Sequence, residues 1–304
     1  MIDVDTLLGD HRSRYFGDGH KRTNYSISEF NENTAYGEII QSGLWSNKSD
    51  KVIQPHLSTL DGVILSCLFA EKYLELQNMP FENFYLFKFE IKSGMKPIEN
   101  LEKIPMNLKN VKFDKRKVTF DVLVLDMKVK IGLENFEFNY QVKKKLNNLS
   151  DYLPNHLKDT KHNIYDISFL DTLDTADRCS IFCKANKVTG EEKYYKGIAS
   201  NFSASYSILE LLIIFSQMAE MLAYHADDVD RECSETLWMK NVKAEVSQPI
   251  LDDEISLIGK ITKNKLLDMK GKDWKIFEMS GTDTKNRVKI SSKIAHQLPI
   301  KEAQ

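Results

Sequence analysis

The sequence predicts an α+β protein built twice over, with two long buried helices each wrapped by an antiparallel sheet. Three observations predict it. Internal matches recur in the same order at offsets of 140 to 152 residues. Each half holds one helix-forming segment that is apolar nearly all round. After each segment the hydrophobic pattern switches to a period of two. The 304 residues leave room for two domains of ordinary size. Hydrophobic residues make up 42% of the chain and charged residues 28%, which supplies a core and excludes a disordered chain. Lys and Arg number 42 against 44 Asp and Glu, so the electrostatic footprint of a nucleic-acid protein is missing.

The matches run as follows. Tyr25-x-Ile27-Ser28 recurs as Tyr165-x-Ile167-Ser168, and each leads into a strand-like segment, 35–40 and 179–184. Residues 56–71 then lie on residues 205–220 at an offset of 149, so that Ser58 falls on Ser207, Asp61 on Glu210, and Ala70-Glu71 on Ala219-Glu220. Pro97-Ile98 matches Pro249-Ile250. Strands are predicted at 84–91, 118–129 and 136–142 in the first half. In the second they are predicted at 237–246, 254–263, 274–281 and 288–294. Residues 143–163, with three successive lysines, Asn-Asn and a proline, read as a linker between units 1–142 and 164–304. A four-turn helix followed by strands that curl round it is the hotdog plan, and two in tandem make a double hotdog with helices starting near Ser58 and Ser207.

The apolar segment 208–222 contains Glu210, Gln217 and Glu220, and reads as too short and too charged to cross a bilayer. No basic stretch precedes an apolar one at the N-terminus. Cys67, Cys179, Cys183 and Cys233 lack the spacing of a zinc site or a disulfide framework. A cytoplasmic protein without metal or membrane partner is the expectation.

The start of the first helix carries the chemistry. Residues 54–65 resemble the H-P-x-x-L-D-A-x-x-Q/H signature of polyketide and fatty-acid synthase dehydratase domains, themselves double hotdogs. His56, Leu60 and Asp61 match; Leu57, Gly62 and Leu65 depart from it. The resemblance implies that Asp61 is an acid serving a hydroxyl near an acyl thioester, with His56 beside it. A structural reading competes: Ser58-x-x-Asp61 and Ser207-x-x-Glu210 both fit a capping box. The dehydratase base belongs to an H-x-x-x-G-x-x-x-x-P run before the other helix. Here the corresponding residues 194–203 hold neither histidine nor proline. Tyr195 and Lys196 in that run are candidates to bind a polar acyl chain or an oxyanion, or are simply surface residues.

Residues 15–25 lie outside the repeat. Gly17, Asp18, Gly19, His20, Lys21 and Arg22 in so short a run read as a shaped loop, with Arg22 or Lys21 a candidate to hold a phosphate or carboxylate and His20 a further substrate-binding candidate. A plain turn is the alternative. This loop, the tandem plan, the length and the helix start from His56 to Asp61 resemble the AvrD family of avirulence D-type proteins. The resemblance implies an enzyme of secondary-metabolite biosynthesis that makes syringolide-type acyl lactones. It would act as an acyltransferase or condensing enzyme, joining a β-ketoacyl chain to a sugar-like polyol. The acyl donor would be an acyl-CoA or an acyl carrier protein thioester, with no further cofactor. Two other readings stand beside it: a hotdog thioesterase or dehydratase, and a non-catalytic module that binds an acyl ligand or a partner. A homodimer is compatible with each.

The missing base generates a prediction. Tyrosine and lysine hold their protons to about pH 10, so residues 194–203 offer no ready acceptor for an α-proton. The protein should not dehydrate a 3-hydroxyacyl thioester, a result read from enoyl absorbance; clear turnover would restore the dehydratase reading.

Overall fold

The computed structural model describes residues 2–49, 51–94, 96–136, 149–171, 179–190, 194–234, 237–268 and 271–299. The first half runs through α1 (Val4–Leu8), β1 (Thr23–Ser28), β2 (Thr34–Gln41), β3 (Ser46–Lys48), β4 (Lys51–Ile53), α2 (Thr59–Leu76), β5 (Phe84–Lys92), β6 (Ile104–Asp114), β7 (Lys117–Val124) and β8 (Met127–Asn135). The second runs through β9 (Ser150–Asp151), α3 (Tyr152–Asp159), β10 (Thr160–Asp171), β11 (Cys179–Thr189), β12 (Tyr195–Lys196), α4 (Ile208–Asp227), β13 (Leu237–Val246), β14 (Glu254–Asp268), β15 (Asp273–Asp283) and β16 (Val288–Gln297).

Twelve strands form one antiparallel sheet in the order β1-β2-β6-β7-β8-β5-β13-β16-β15-β14-β11-β10. Read backwards from β10, the second half repeats the first strand for strand, which is the double hotdog predicted. The halves join through β5 and β13, where Asn241 faces Lys92 and Glu245 faces Lys88. The matched prolines keep equivalent places. The amide of Leu57 donates to the Ile98 carbonyl at 2.8 Å, and the amide of Tyr206 donates to the Ile250 carbonyl at 2.9 Å.

The central helices start where the capping serines place them, with Ser58 and Ser207 as N-caps. In each, the serine hydroxyl accepts the N3 amide and the N3 carboxylate accepts the serine amide. Sixteen of the 20 residues of α4 are buried, as are 13 of the 18 in α2. By length and composition α4 is apolar enough to cross a bilayer, contrary to the expectation from 208–222, because the helix runs on to Asp227. Its apolar surface is spent inside the protein.

Some elements differ from the sequence reading. The strand predicted over 118–129 is two, folded at Leu125-Asp126, a turn without the glycine or asparagine that usually marks one; Leu125 takes φ +52°. Strand β6 had no counterpart, because a bulge between Leu108 and Asn110 breaks its alternation. Of the strand predicted over 136–142, Phe136 lies outside β8 and the rest falls outside the described residues. The expected linker carries β9, α3 and the start of β10 from residue 150 onward, and five of the eight α3 residues are buried. Pro154 does not break α3, because it occupies the first turn, whose amides have no intrahelical partner.

The two short helices are exchanged. Helix α1, from the first half, packs on α4 and β10; α3, from the second, packs on α2. The Ile167 amide donates to the Ile2 carbonyl, and Lys158 Nζ donates to Asn24 Oδ1 at 2.6 Å. Each half is thus pinned by an arm of the other.

Close approach of helix and sheet generates a prediction. A Cβ on Gly281 would lie 2.3 Å from Cε1 of Phe215 on α4, with the Ile290 side chain behind. Gly281→Ala should destabilise the protein by about 1–3 kcal/mol, the usual penalty of overpacking, measured as a lower urea midpoint at unchanged slope.

Candidate functional site

The capping boxes put one carboxylate at the start of each central helix, and the surroundings of the two differ. Asp61 is 2% exposed. Its Oδ1 accepts from Tyr25 Oη at 2.6 Å and from Tyr15 Oη at 3.0 Å, and its Oδ2 accepts the Ser58 amide at 2.8 Å. Burial raises its pKa, outweighing the hydrogen bonds from Tyr25 and Ser58. Both oxygens are occupied. His56 does not reach Asp61: its Nδ1 hydrogen-bonds the Gln54 carbonyl, and its ring rests on Trp45 with centroids 4.5 Å apart. Trp45 in turn stacks on Tyr15. The predicted pair is therefore linked through two aromatic rings.

Glu210 is fully buried and meets one lysine and one histidine instead. Its Oε2 accepts the Ser207 amide at 2.6 Å. Its Oε1 lies 3.1 Å from His162 Nε2 and 3.2 Å from Lys187 Nζ. Burial alone would raise this carboxyl, but the His162 hydrogen bond and the Lys187 charge hold it well below the usual range. His156 completes the cluster. Its Nδ1 donates to the Tyr152 carbonyl, which leaves Nε2 to accept the Ser207 hydroxyl at 2.8 Å. Burial lowers the His156 pKa to about 4, so it stays neutral.

A cavity of about 510 Å³ lies beside this cluster, within the roughly 300–1,000 Å³ of small-molecule sites. The N-terminal segment forms one wall, with Asp5, His11, Arg14, Asp18 and Lys21. Strand β10 supplies Lys161, His162 and Tyr165, and α4 supplies Gln217. Arg14 is 2% exposed, donates from Nη1 to Gln217 Oε1 at 2.7 Å, and pairs with Asp5. Asp5 also meets His11 Nδ1 at 2.7 Å, and Asp18 pairs with Lys21 at 2.9 Å.

The other predicted residues have structural partners. His20 is 4% exposed; its Nδ1 hydrogen-bonds the Tyr15 carbonyl, and burial lowers its pKa to about 3. Arg22 donates to the Leu44 carbonyl at 3.1 Å. Tyr195 donates to Asp159 Oδ2 at 2.8 Å, and Lys196 is exposed, 3.5 Å from Asp151. None of these four lines the cavity, nor do His56 and Asp61. The shaped loop does contribute, through Gly17, Asp18 and Lys21. His162 escaped notice because it sat in the supposed linker. Glu210 was visible as the counterpart of Asp61. No cluster of three or more metal-ligating side chains occurs among the described residues.

A double hotdog with a polar cavity at the start of its second central helix is the class these features define. The chain belongs to the family described as Pseudomonas avirulence D protein (AvrD), whose profile matches residues 1–299. No curated protein matches the chain. Among solved structures, an acyl-CoA thioesterase II from Mycobacterium marinum is 7% identical, with 94% of this chain and 98% of that one covered, at a TM-score of 0.48. A conserved protein with a hot dog fold from Alicyclobacillus acidocaldarius is also 7% identical, with 95% and 98% covered, at a TM-score of 0.43.

The run 194–203 faces a third carboxylate. Glu71 on α2 is 8% exposed, and its Oε1 accepts the Ile198 amide at 2.7 Å. Gly197, at φ +96°, admits this approach, since a Cβ there would lie 2.7 Å from Glu71 Oε1. Burial raises the Glu71 pKa to about 8, against 4.5 for the unperturbed group. Between those values the folded protein holds a proton that the unfolded chain has lost, so stability falls as pH rises through that window. Glu71→Gln keeps the acceptor and removes the titration. The wild-type urea midpoint should therefore drop more between pH 5 and pH 8 than that of Glu71→Gln.

Proposed function

We propose that this protein is an acyl-thioester enzyme of small-molecule biosynthesis, transferring a β-ketoacyl group from a coenzyme A or carrier-protein thioester to a hydroxyl of a polyol acceptor. The observation that carries the reading is the polar cavity between the N-terminal segment and β10. Among its lining residues, Arg14, Lys21 and Lys161 balance Asp3, Asp5 and Asp18. Balanced charge with many donors and acceptors suits an uncharged hydroxylated molecule better than an apolar chain. Family membership and the double hotdog fold support the same reading. Formation of syringolide-type lactones is its most specific form, with ring closure following acyl transfer.

The test is direct. Purified protein is mixed with a β-ketoacyl thioester, with and without polyols, and free thiol is followed. Thiol release that depends on the polyol is expected, with an acylated polyol detected by mass spectrometry. Release without acceptor would make the protein a thioesterase, and no release would leave a binding module.

Asp61, with His56 at the same helix start, is the sequence-derived candidate for acid–base work in this reaction. A general acid or base predicts that Asp61→Asn loses about 10²–10⁴-fold in rate. A cap predicts near-wild-type turnover with about 0.5–2 kcal/mol of stability lost. The occupation of both carboxylate oxygens favours the second outcome, and turnover measured beside a urea melt separates them.

A further inference from the structure

We propose that His162 is the base that takes the acceptor's hydroxyl proton, that Glu210 is the residue that positions it, and that the cavity walled by Arg14, Lys161 and Gln217 is the acceptor site. The inference rests on the acyl-transfer reading and adds the residues and the place.

The geometry carries it. His162 is a lining residue of the cavity, and its side chain is only 4% exposed. Nε2 points to Glu210 Oε1, 3.1 Å away. Glu210 is ionised, and Lys187 lies against the same oxygen at 3.2 Å. The negative charge is thus already matched by a cation, and the 3.1 Å approach fits a His162 Nε2–H that donates to the carboxylate. That tautomer leaves the lone pair on Nδ1, for which the described residues show no hydrogen-bond partner. A carboxylate that fixes the tautomer of a histidine at a cavity wall is the arrangement of a general base. The first unit has no such pair at its own helix start, where tyrosine hydroxyls donate to the equivalent carboxylate.

The step balances without a further reagent. The acceptor O–H gives its proton to His162 Nδ1 as its oxygen attacks the thioester carbonyl. A C–O bond forms and the C–S bond breaks. The leaving thiolate takes the proton back from the imidazolium, which regenerates neutral His162 and releases a free thiol. The Lys187 ammonium, 3.2 Å from Glu210 Oε1, offsets the charge of that carboxylate during the step.

The test uses the full chain, a β-ketoacyl-CoA and the polyol that supports the most thiol release. His162→Gln retains a side-chain amide that can donate to Glu210. It should lower kcat by about 10²–10⁴-fold while the KM for polyol changes less than threefold. Glu210→Gln keeps an acceptor for the Ser207 amide and should lower kcat without raising that KM. Lys161→Trp, at an exposed position on the cavity wall, should raise the KM for polyol by a larger factor than it lowers kcat. Folding of each variant is checked by its urea melt. A folded His162→Gln protein with near-wild-type kcat overturns the proposal and leaves the acyl-transfer reading standing. If the wild type transfers nothing, that reading fails. The cavity is then tested by nitrogen-15 NMR of the histidine rings during titration with D-xylose and glycerol. Movement of the His162 signals, absent in Lys161→Trp, supports the site, and unmoved signals overturn it.

Discussion

Each central helix begins inside the protein, where its first amide groups must find partners without water. The capping boxes of Ser58 with Asp61 and Ser207 with Glu210 meet that demand. Much else follows from it. A helix apolar nearly all round can exist only if a sheet closes over it, and the sheet can close only if no polar group at the helix start is left bare. Two carboxylates are thereby fixed below the surface, one per unit. A buried carboxylate has to be satisfied by neighbours, and the neighbours decide its chemistry.

The units have answered the same problem in two ways. Around Asp61 the donors are tyrosine hydroxyls and a backbone amide, groups that hold their protons. Around Glu210 they are an imidazole, an ammonium and the equivalent backbone amide. The aromatic cover over Asp61 extends through Trp45 to His56, so the histidine of the dehydratase-like motif packs on an indole and hydrogen-bonds the Gln54 carbonyl, not the carboxylate. The two equivalent positions are filled differently, one with tyrosine hydroxyls and aromatic packing and the other with an imidazole and an ammonium.

Most of the architecture was legible in the sequence because it rests on local rules. Ser58 and Ser207 announce helix starts, and residues 208–222 announce burial. The ordered matches from Tyr25 to Pro97 and from Tyr165 to Pro249 announce the repeat. What stayed hidden depends on distant contacts. Lysines, asparagines and a proline made 143–163 look like a connector, although α3 is held by packing on α2 from the other half. His162 went unnoticed for the same reason. Arg14 and Gln217 are 203 positions apart, and no pattern along the chain pairs them. The loop around Gly17 was recognisable as shaped, yet which surface it would shape depended on α1 crossing to α4.

The seam between β5 and β13 fixes how the two units are spaced. Five residue pairs hold it in register, from Asn241 opposite Lys92 to Glu245 opposite Lys88. A slip of one residue would turn every side chain of one unit to the wrong face, so the join is locked in discrete steps and cannot creep. The span between the two helix starts is therefore a constant of the molecule, like the gap of a caliper.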